Sequence, residues 1–145
     1  MIPHYVDLDN DFVTHILNTR DDILLIDVRD EVDTVLEQIA SCEMILATAM
    51  HGLIFADSFG IPNLWLRMSD KMLGGDFKFL DYYSALDIKG EDAKAFDLRH
   101  QNLPLGQDLE EFVINNYKVC PDKVAFVCER LCAAFDVNNN NTSGG

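Results

Sequence analysis

No long apolar run occurs anywhere in the 145 residues. A helix spanning a bilayer needs roughly 20 consecutive apolar positions, so a transmembrane segment is not expected. The opening residues also lack the basic-then-apolar order of a secretory leader, and the expected location is the cytoplasm. Positive charge is scarce: 11 Lys and Arg stand against 25 Asp and Glu, for a net charge of −14 and a pI of about 4.3. That balance argues against nucleic acid and anionic membrane surfaces as general partners. It leaves room for a small anion in a locally positive pocket. The four cysteines, Cys42, Cys120, Cys128 and Cys132, form no C-x-x-C pair. Cys128 and Cys132 share a helical face, but buried thiols in a reducing compartment are the expected state, and no metal is expected. With only four prolines and eight glycines, those present mark the ends of elements.

The remaining composition, 48% hydrophobic and 25% charged, is that of a soluble globular domain. One domain over residues 1–136 is expected, followed by a disordered polar tail at 137–145 that ends NNNNTSGG. The stretch 47–68, ATAMHGLIFADSFGIPNLWLRM, organises the chain. An apolar run ends at Thr48, a helical pattern opens near His51 and closes at Gly60, and a second apolar run follows Pro62. Strand, helix and strand joined by tight turns make a βαβ unit. Further strands are read at 2–6, 22–28 (DILLIDV) and 42–48, with helices at 30–41, 51–59, 76–86, 105–117 and 121–135 and mostly loop over 87–104. The alternation predicts an α/β fold, a Rossmann-like three-layer sandwich around a short parallel sheet of about four strands.

In such sheets ligands bind beyond the carboxyl ends of the strands, beside a helix N-terminus. His51 stands at that corner. The amides of His51, Gly52 and Leu53 can face an anion, Gly52 admits close approach to the backbone, and Thr48 can add a hydroxyl. Alternatively His51 is simply the helix N-cap. His4 ends the first strand and can face the same edge. The acids Asp7, Asp9 and Asp11 can bind Mg²⁺ or compensate a helix dipole, with Asp9 or Asn10 as its cap.

The segment containing Thr48, Met50, His51, Gly52, Leu53, Ile54, Ala56, Gly60 and Pro62 resembles the polysaccharide pyruvyl transferase family, as do IPHYVD near the start and FKFLDYYSAL later. The resemblance implies transfer of the pyruvyl group of phosphoenolpyruvate onto a sugar hydroxyl in exopolysaccharide synthesis, with no other cofactor. It implies a fold like one half of a GT-B-type two-domain transferase. This chain would be the carboxyl-terminal, donor-binding half of a longer enzyme, inactive by itself. A sugar or lipid-linked oligosaccharide acceptor would be held by the other half, and self-association would use the exposed interdomain face. His51 would be the catalytic residue, with Thr48, Ala49, Met50, Gly52, Leu53 and His4 around the donor. Some family members carry arginine where this chain has Ala49. Arg29, Arg67, Lys71 and Lys78 are the candidate replacements for that charge. The aromatic residues Phe77, Phe79, Tyr82 and Tyr83 can stack on a sugar or form core. Two other functions fit less of the sequence: a nucleotide-sugar-binding glycosyltransferase-like domain, for which Gly74 and Gly75 offer a turn, and a binding or assembly module without chemistry.

Overall fold

The computed structural model describes residues 1–71 and 75–141. Among the described residues three parallel strands, β1 (Ile45–Ala47), β2 (Asn63–Arg67) and β3 (Phe96–Asp97), form a sheet in the order β1-β2-β3. Leu46 faces Leu64, and Leu66 faces Phe96. Six helices accompany them: α1 (Asp11–Thr19), α2 (Val32–Ala40), α3 (Met50–Ser58), α4 (Phe77–Ala85), α5 (Leu109–Asn116) and α6 (Pro121–Asn141).

β1 and β2 are apolar at nearly every position because both faces of the sheet are covered, as in parallel sheets generally. Side chains alternate between the faces. Ile45, Ala47 and Trp65 enter one core with Val35 and Ile39 of α2, Leu53 and Ala56 of α3, and Phe79 and Tyr83 of α4. Leu46, Leu64 and Leu66 enter the other, with Val13 and Ile16 of α1 and Leu109 and Val113 of α5. Helices thus pack against both faces of the sheet.

The strand count differs from the expected four. Ile2 pairs with Ala47 on the free side of β1 as an isolated parallel bridge. Its N–H donates to Leu46 at 2.8 Å and its carbonyl accepts from Thr48 at 3.1 Å. The backbone then tightens into a 3₁₀ turn, Tyr5–Asp7, because the His4 side chain accepts from the Val6 N–H. Residues 23–27 have no regular structure and run beside Met1, which donates to the Leu24 carbonyl at 2.6 Å and accepts from Ile26 at 2.9 Å. That pairing is one residue long and makes no strand. β3, in turn, lies inside the stretch read as loop.

Helix ends follow local chemistry. Asn10, not Asp9, caps α1 by accepting from the Phe12 N–H at 2.9 Å. Gly60 follows α3 with a φ of +68°, the left-handed conformation that glycine adopts without a Cβ penalty. Pro121 opens α6, which leans on the first core through Val124 and Val127. This helix runs to Asn141, past the start of the stretch read as polar tail; residues 142–145 lie outside the described residues, as do 72–74 with Gly74.

Two features of α3 fix its position. At Gly52 a Cβ would stand 3.0 Å from two side-chain atoms of the fully buried Ile2. At the far end of the helix, the buried Asp57 carboxylate accepts from Asn63 Nδ2 at 2.6 Å, Tyr82 Oη at 2.6 Å and Tyr117 Oη at 3.0 Å. Burial pushes the Asp57 carboxyl above its usual range, and the three donors pull it back in part. Burial and the Asp57 carboxylate raise both partner tyrosines. One side chain thereby ties α3 to β2, to α4 and to the segment after α5.

Candidate functional site

A cavity of about 440 Å³ opens at the N-terminus of α3. Ala49, Met50, His51, Gly52 and Phe55 supply its α3 side, His4 and Tyr5 its N-terminal side, Lys78 of α4 a third side, and Val28, Asp30, Val32, Val35 and Ile39 the last. The helix begins one residue earlier than expected. Ala49 is the N-cap, with no side-chain cap bond, so His51 is not a cap but an exposed residue of the first turn. The Gly52 N–H is turned to the Ala49 carbonyl at 3.1 Å. The absent Gly52 side chain makes room for Ile2, which gives the glycine a packing reason besides any ligand. Leu53 is fully buried core.

His4 is held in place by the buried pair Asp7 and Thr48. Its N–H donates to Thr48 Oγ1 at 2.8 Å, and that hydroxyl donates to Asp7 Oδ2 at 2.9 Å. Ser69 completes the set, donating to Asp7 Oδ1 at 2.5 Å. Thr48 therefore spends its hydroxyl on structure. Both Asp7 oxygens are taken up by Thr48 and Ser69; among the described residues no cluster of three or more His, Cys, Asp or Glu could hold a metal. His4 Nδ1 accepts from Val6 at 3.4 Å, so the neutral ring carries its proton on Nε2. Burial lowers the pKa of His4, the nearby Lys78 and His51 lower it further, and Asp7 opposes them.

The four candidate cations separate cleanly. Arg29 is spent on Asp27, with bonds of 2.9, 3.1 and 2.6 Å, which holds that carboxyl down at about 2. Arg67 pairs with Asp76, the residue before α4. Lys71 is exposed and lies outside the cavity. Lys78 lines the cavity with His4 and His51 and makes no ion pair among the described residues. The site thus gathers three groups able to carry positive charge, from three elements, around one opening in an acidic protein. Their chemistry is anion binding and proton donation.

The sequence pattern described as polysaccharide pyruvyl transferase matches residues 1–70, which include His4, Thr48 and His51. Over those residues the chain is similar to the polysaccharide pyruvyl transferase family. Two curated proteins are similar to the chain. One, "Uncharacterized protein L143" of Acanthamoeba polyphaga mimivirus, is 33% identical over 128 residues, covering 81% of this chain and 45% of that protein. The other, "Succinoglycan biosynthesis protein ExoV" of Rhizobium meliloti (strain 1021), is 36% identical over 63 residues, covering 43% of this chain and 19% of that protein. The chain therefore spans less than half the length of these relatives. No solved structure matches.

Lys78 lies beyond the residues matched to the pyruvyl transferase family, and only the fold brings it to the cavity that His51 lines. Sequence reasoning missed the α2 wall of the cavity and the role of Asp7; neither has a local signal, because each depends on contacts between distant segments. The aromatic group is largely structural. Phe79 stacks on Trp65, with centroids 4.3 Å apart, Tyr83 is buried and Tyr82 serves Asp57. Phe77 remains 77% exposed. The cysteines depart from expectation: Cys120, Cys128 and Cys132 are exposed, and Cys42 is half-buried. None of the described helices is long and apolar enough to cross a membrane.

Proposed function

We propose that the chain binds phosphoenolpyruvate at the N-terminus of α3, as the donor-binding part of an enzyme that transfers its pyruvyl group to sugar hydroxyls. The observation that carries this reading is the convergence of His4, His51 and Lys78 on one cavity. Phosphoenolpyruvate is a small polyanion, and Lys78 takes the place of the arginine that some family members carry at the position of Ala49. The neutral His4, with its proton on Nε2, is suited to hold a phosphate or carboxylate oxygen. His51 is suited to give a proton to the methylene carbon as an acceptor hydroxyl adds to the central carbon. A second hydroxyl of the same sugar then displaces phosphate, and the ketal closes.

Calorimetric titration of phosphoenolpyruvate into the chain tests this. Saturable binding is expected, weakened about tenfold by His51→Ala and about tenfold by Lys78→Ala, the effect of losing one charge-assisted contact of about 1.4 kcal/mol. Both side chains lie outside the buried core, so both variants should fold. Binding that neither substitution changes would place the donor elsewhere. No binding by the folded chain would remove the donor-site reading for this chain.

A further inference from the structure

We infer that Asp7 is a positioning residue for the anion site: through the Thr48 hydroxyl, its buried carboxylate sets where His4 meets the ligand of the α3 cavity. The inference rests on the reading of that cavity as a phosphoenolpyruvate site. Asp7 is 3% exposed and Thr48 1%, and neither lines the cavity. The direction of each bond follows from the donors. The His4 N–H fills a lone pair of Thr48 Oγ1 at 2.8 Å, which leaves the Thr48 hydrogen for Asp7 Oδ2 at 2.9 Å. The Lys71 N–H does the same for Ser69 Oγ at 3.3 Å, whose hydrogen goes to Asp7 Oδ1 at 2.5 Å. Position 7 must therefore accept two hydrogens, one from just beyond β1 and one from just beyond β2. Among the described residues Asp7 makes no ion pair, so these hydroxyls are what its burial secures. The Asp7 N–H also donates to the His4 carbonyl at 2.8 Å. With Nδ1 accepting from the Val6 N–H at 3.4 Å, the N–H, the carbonyl and Nδ1 of His4 are all engaged. Only Nε2 is left for a ligand, on a ring that lines the cavity beside His51 and Lys78. The sign of the effect separates this role from plain electrostatics. A carboxylate near an anion site repels the anion, so charge alone would make its loss tighten binding. Loss of the acceptor frees His4 and weakens binding.

Asp7→Ala and Asp7→Asn both remove the charge, but only asparagine keeps an oxygen to accept from Thr48. Phosphoenolpyruvate is titrated by calorimetry into the intact chain and each variant, with thermal unfolding to show that each is folded. Asp7→Ala is expected to bind at least about fivefold more weakly than Asp7→Asn. Thr48→Val, which can accept nothing from His4, should bind about fivefold more weakly than Thr48→Ser, and this pair decides the matter if Asp7→Ala does not fold. In a His4→Ala background, Asp7→Ala should weaken binding no further, because the two side chains act as one unit. The ring ¹⁵N spectra of the histidines, recorded without ligand, give a readout that needs no binding. Native His4 should show the Nε2–H tautomer, and Asp7→Ala and Thr48→Val a mixture of tautomers. Equal affinity within either folded pair would overturn the inference and leave the phosphoenolpyruvate reading standing. A further loss in the His4→Ala background would show that Asp7 acts by another route and would overturn it too. If the native chain binds no phosphoenolpyruvate, the donor-site reading falls and the spectra decide: an unchanged His4 tautomer overturns the positioning role, and a mixture upholds it.

Discussion

Asp57→Ala is expected to lower the unfolding free energy by about 3 kcal/mol and the melting temperature by about 10 °C. The substitution removes the common acceptor of three donors, Asn63, Tyr82 and Tyr117. Each donor left unpaired away from water costs about 1–3 kcal/mol. Three terms hold the total below the sum. Tyr82 and Tyr117 are half-buried and can turn to water, and Asn63 keeps the Ile61 carbonyl at 3.2 Å. Loss of the carboxylate also relieves its own desolvation. Thermal and urea unfolding measure the outcome, and a change under 1 kcal/mol would show that the hub is dispensable.

The same residue makes a pH-dependent contribution whose sign can be worked out. Burial raises the Asp57 carboxyl above its unfolded value. A group raised in the folded state favours the fold most when protonated, below its unfolded pKa of about 4, and that contribution is lost as pH rises through the folded pKa. Asp57→Asn does not titrate. The stability of the native protein relative to Asp57→Asn should therefore fall as pH is raised from about 4 to about 7. A flat difference would mean that the three donors cancel the burial in full.

Gly52→Val is expected to cost about 2–3 kcal/mol, and here two effects oppose each other. Glycine inside a helix is unfavourable, so replacing it with alanine gains up to about 1 kcal/mol in an exposed helix. Against that, the new Cβ meets Ile2 Cδ1 and Cγ2 at 3.0 Å and Ile2 Cβ at 3.1 Å. Ile2 has little freedom to retreat, because its backbone is bonded to Leu46 and Thr48 on β1 and its side chain is fully buried. Packing decides the sign. Gly52→Ala should lose about 1 kcal/mol and Gly52→Val more, since two further methyl groups enter the same contact. Urea denaturation of the pair checks both. A Gly52→Ala protein more stable than the native one would show that Ile2 yields and that helix propensity wins.

The βαβ unit was legible in the sequence because its signals are local. Apolar runs, the Gly60 helix stop and Pro62 each act within a few residues, and the structure puts β1, α3 and β2 close to where they were read. The outer strands were not legible, since an apolar run such as 22–28 states that a segment is buried but not that it finds a partner long enough to make a ladder. β3 is two residues long and has no periodicity to read. At the site, His51 and His4 were visible from their places at strand and helix ends. The choice among Arg29, Arg67, Lys71 and Lys78 was not, because it turns on which neighbouring carboxylates claim the first two. Asp27 lies two residues from Arg29, within sight of the sequence, whereas Asp76 reaches Arg67 across a loop. The Asp57 hub escaped notice for the same reason: its partners come from β2, α4 and the segment after α5.

Outside their own turn, the partners that dock the first seven residues lie far downstream in the chain. Met1 bonds to Leu24, Ile2 to Leu46 and Thr48, His4 to Thr48, and Asp7 to Thr48 and Ser69. This segment docks only once those partners are in place. Its arrival closes large loops, a step that slows folding in parallel sheets. His4 consequently reaches its place in the cavity wall only when the middle of the sheet is complete, so cavity assembly should be one of the last events of folding and its disruption one of the first signs of a destabilised core.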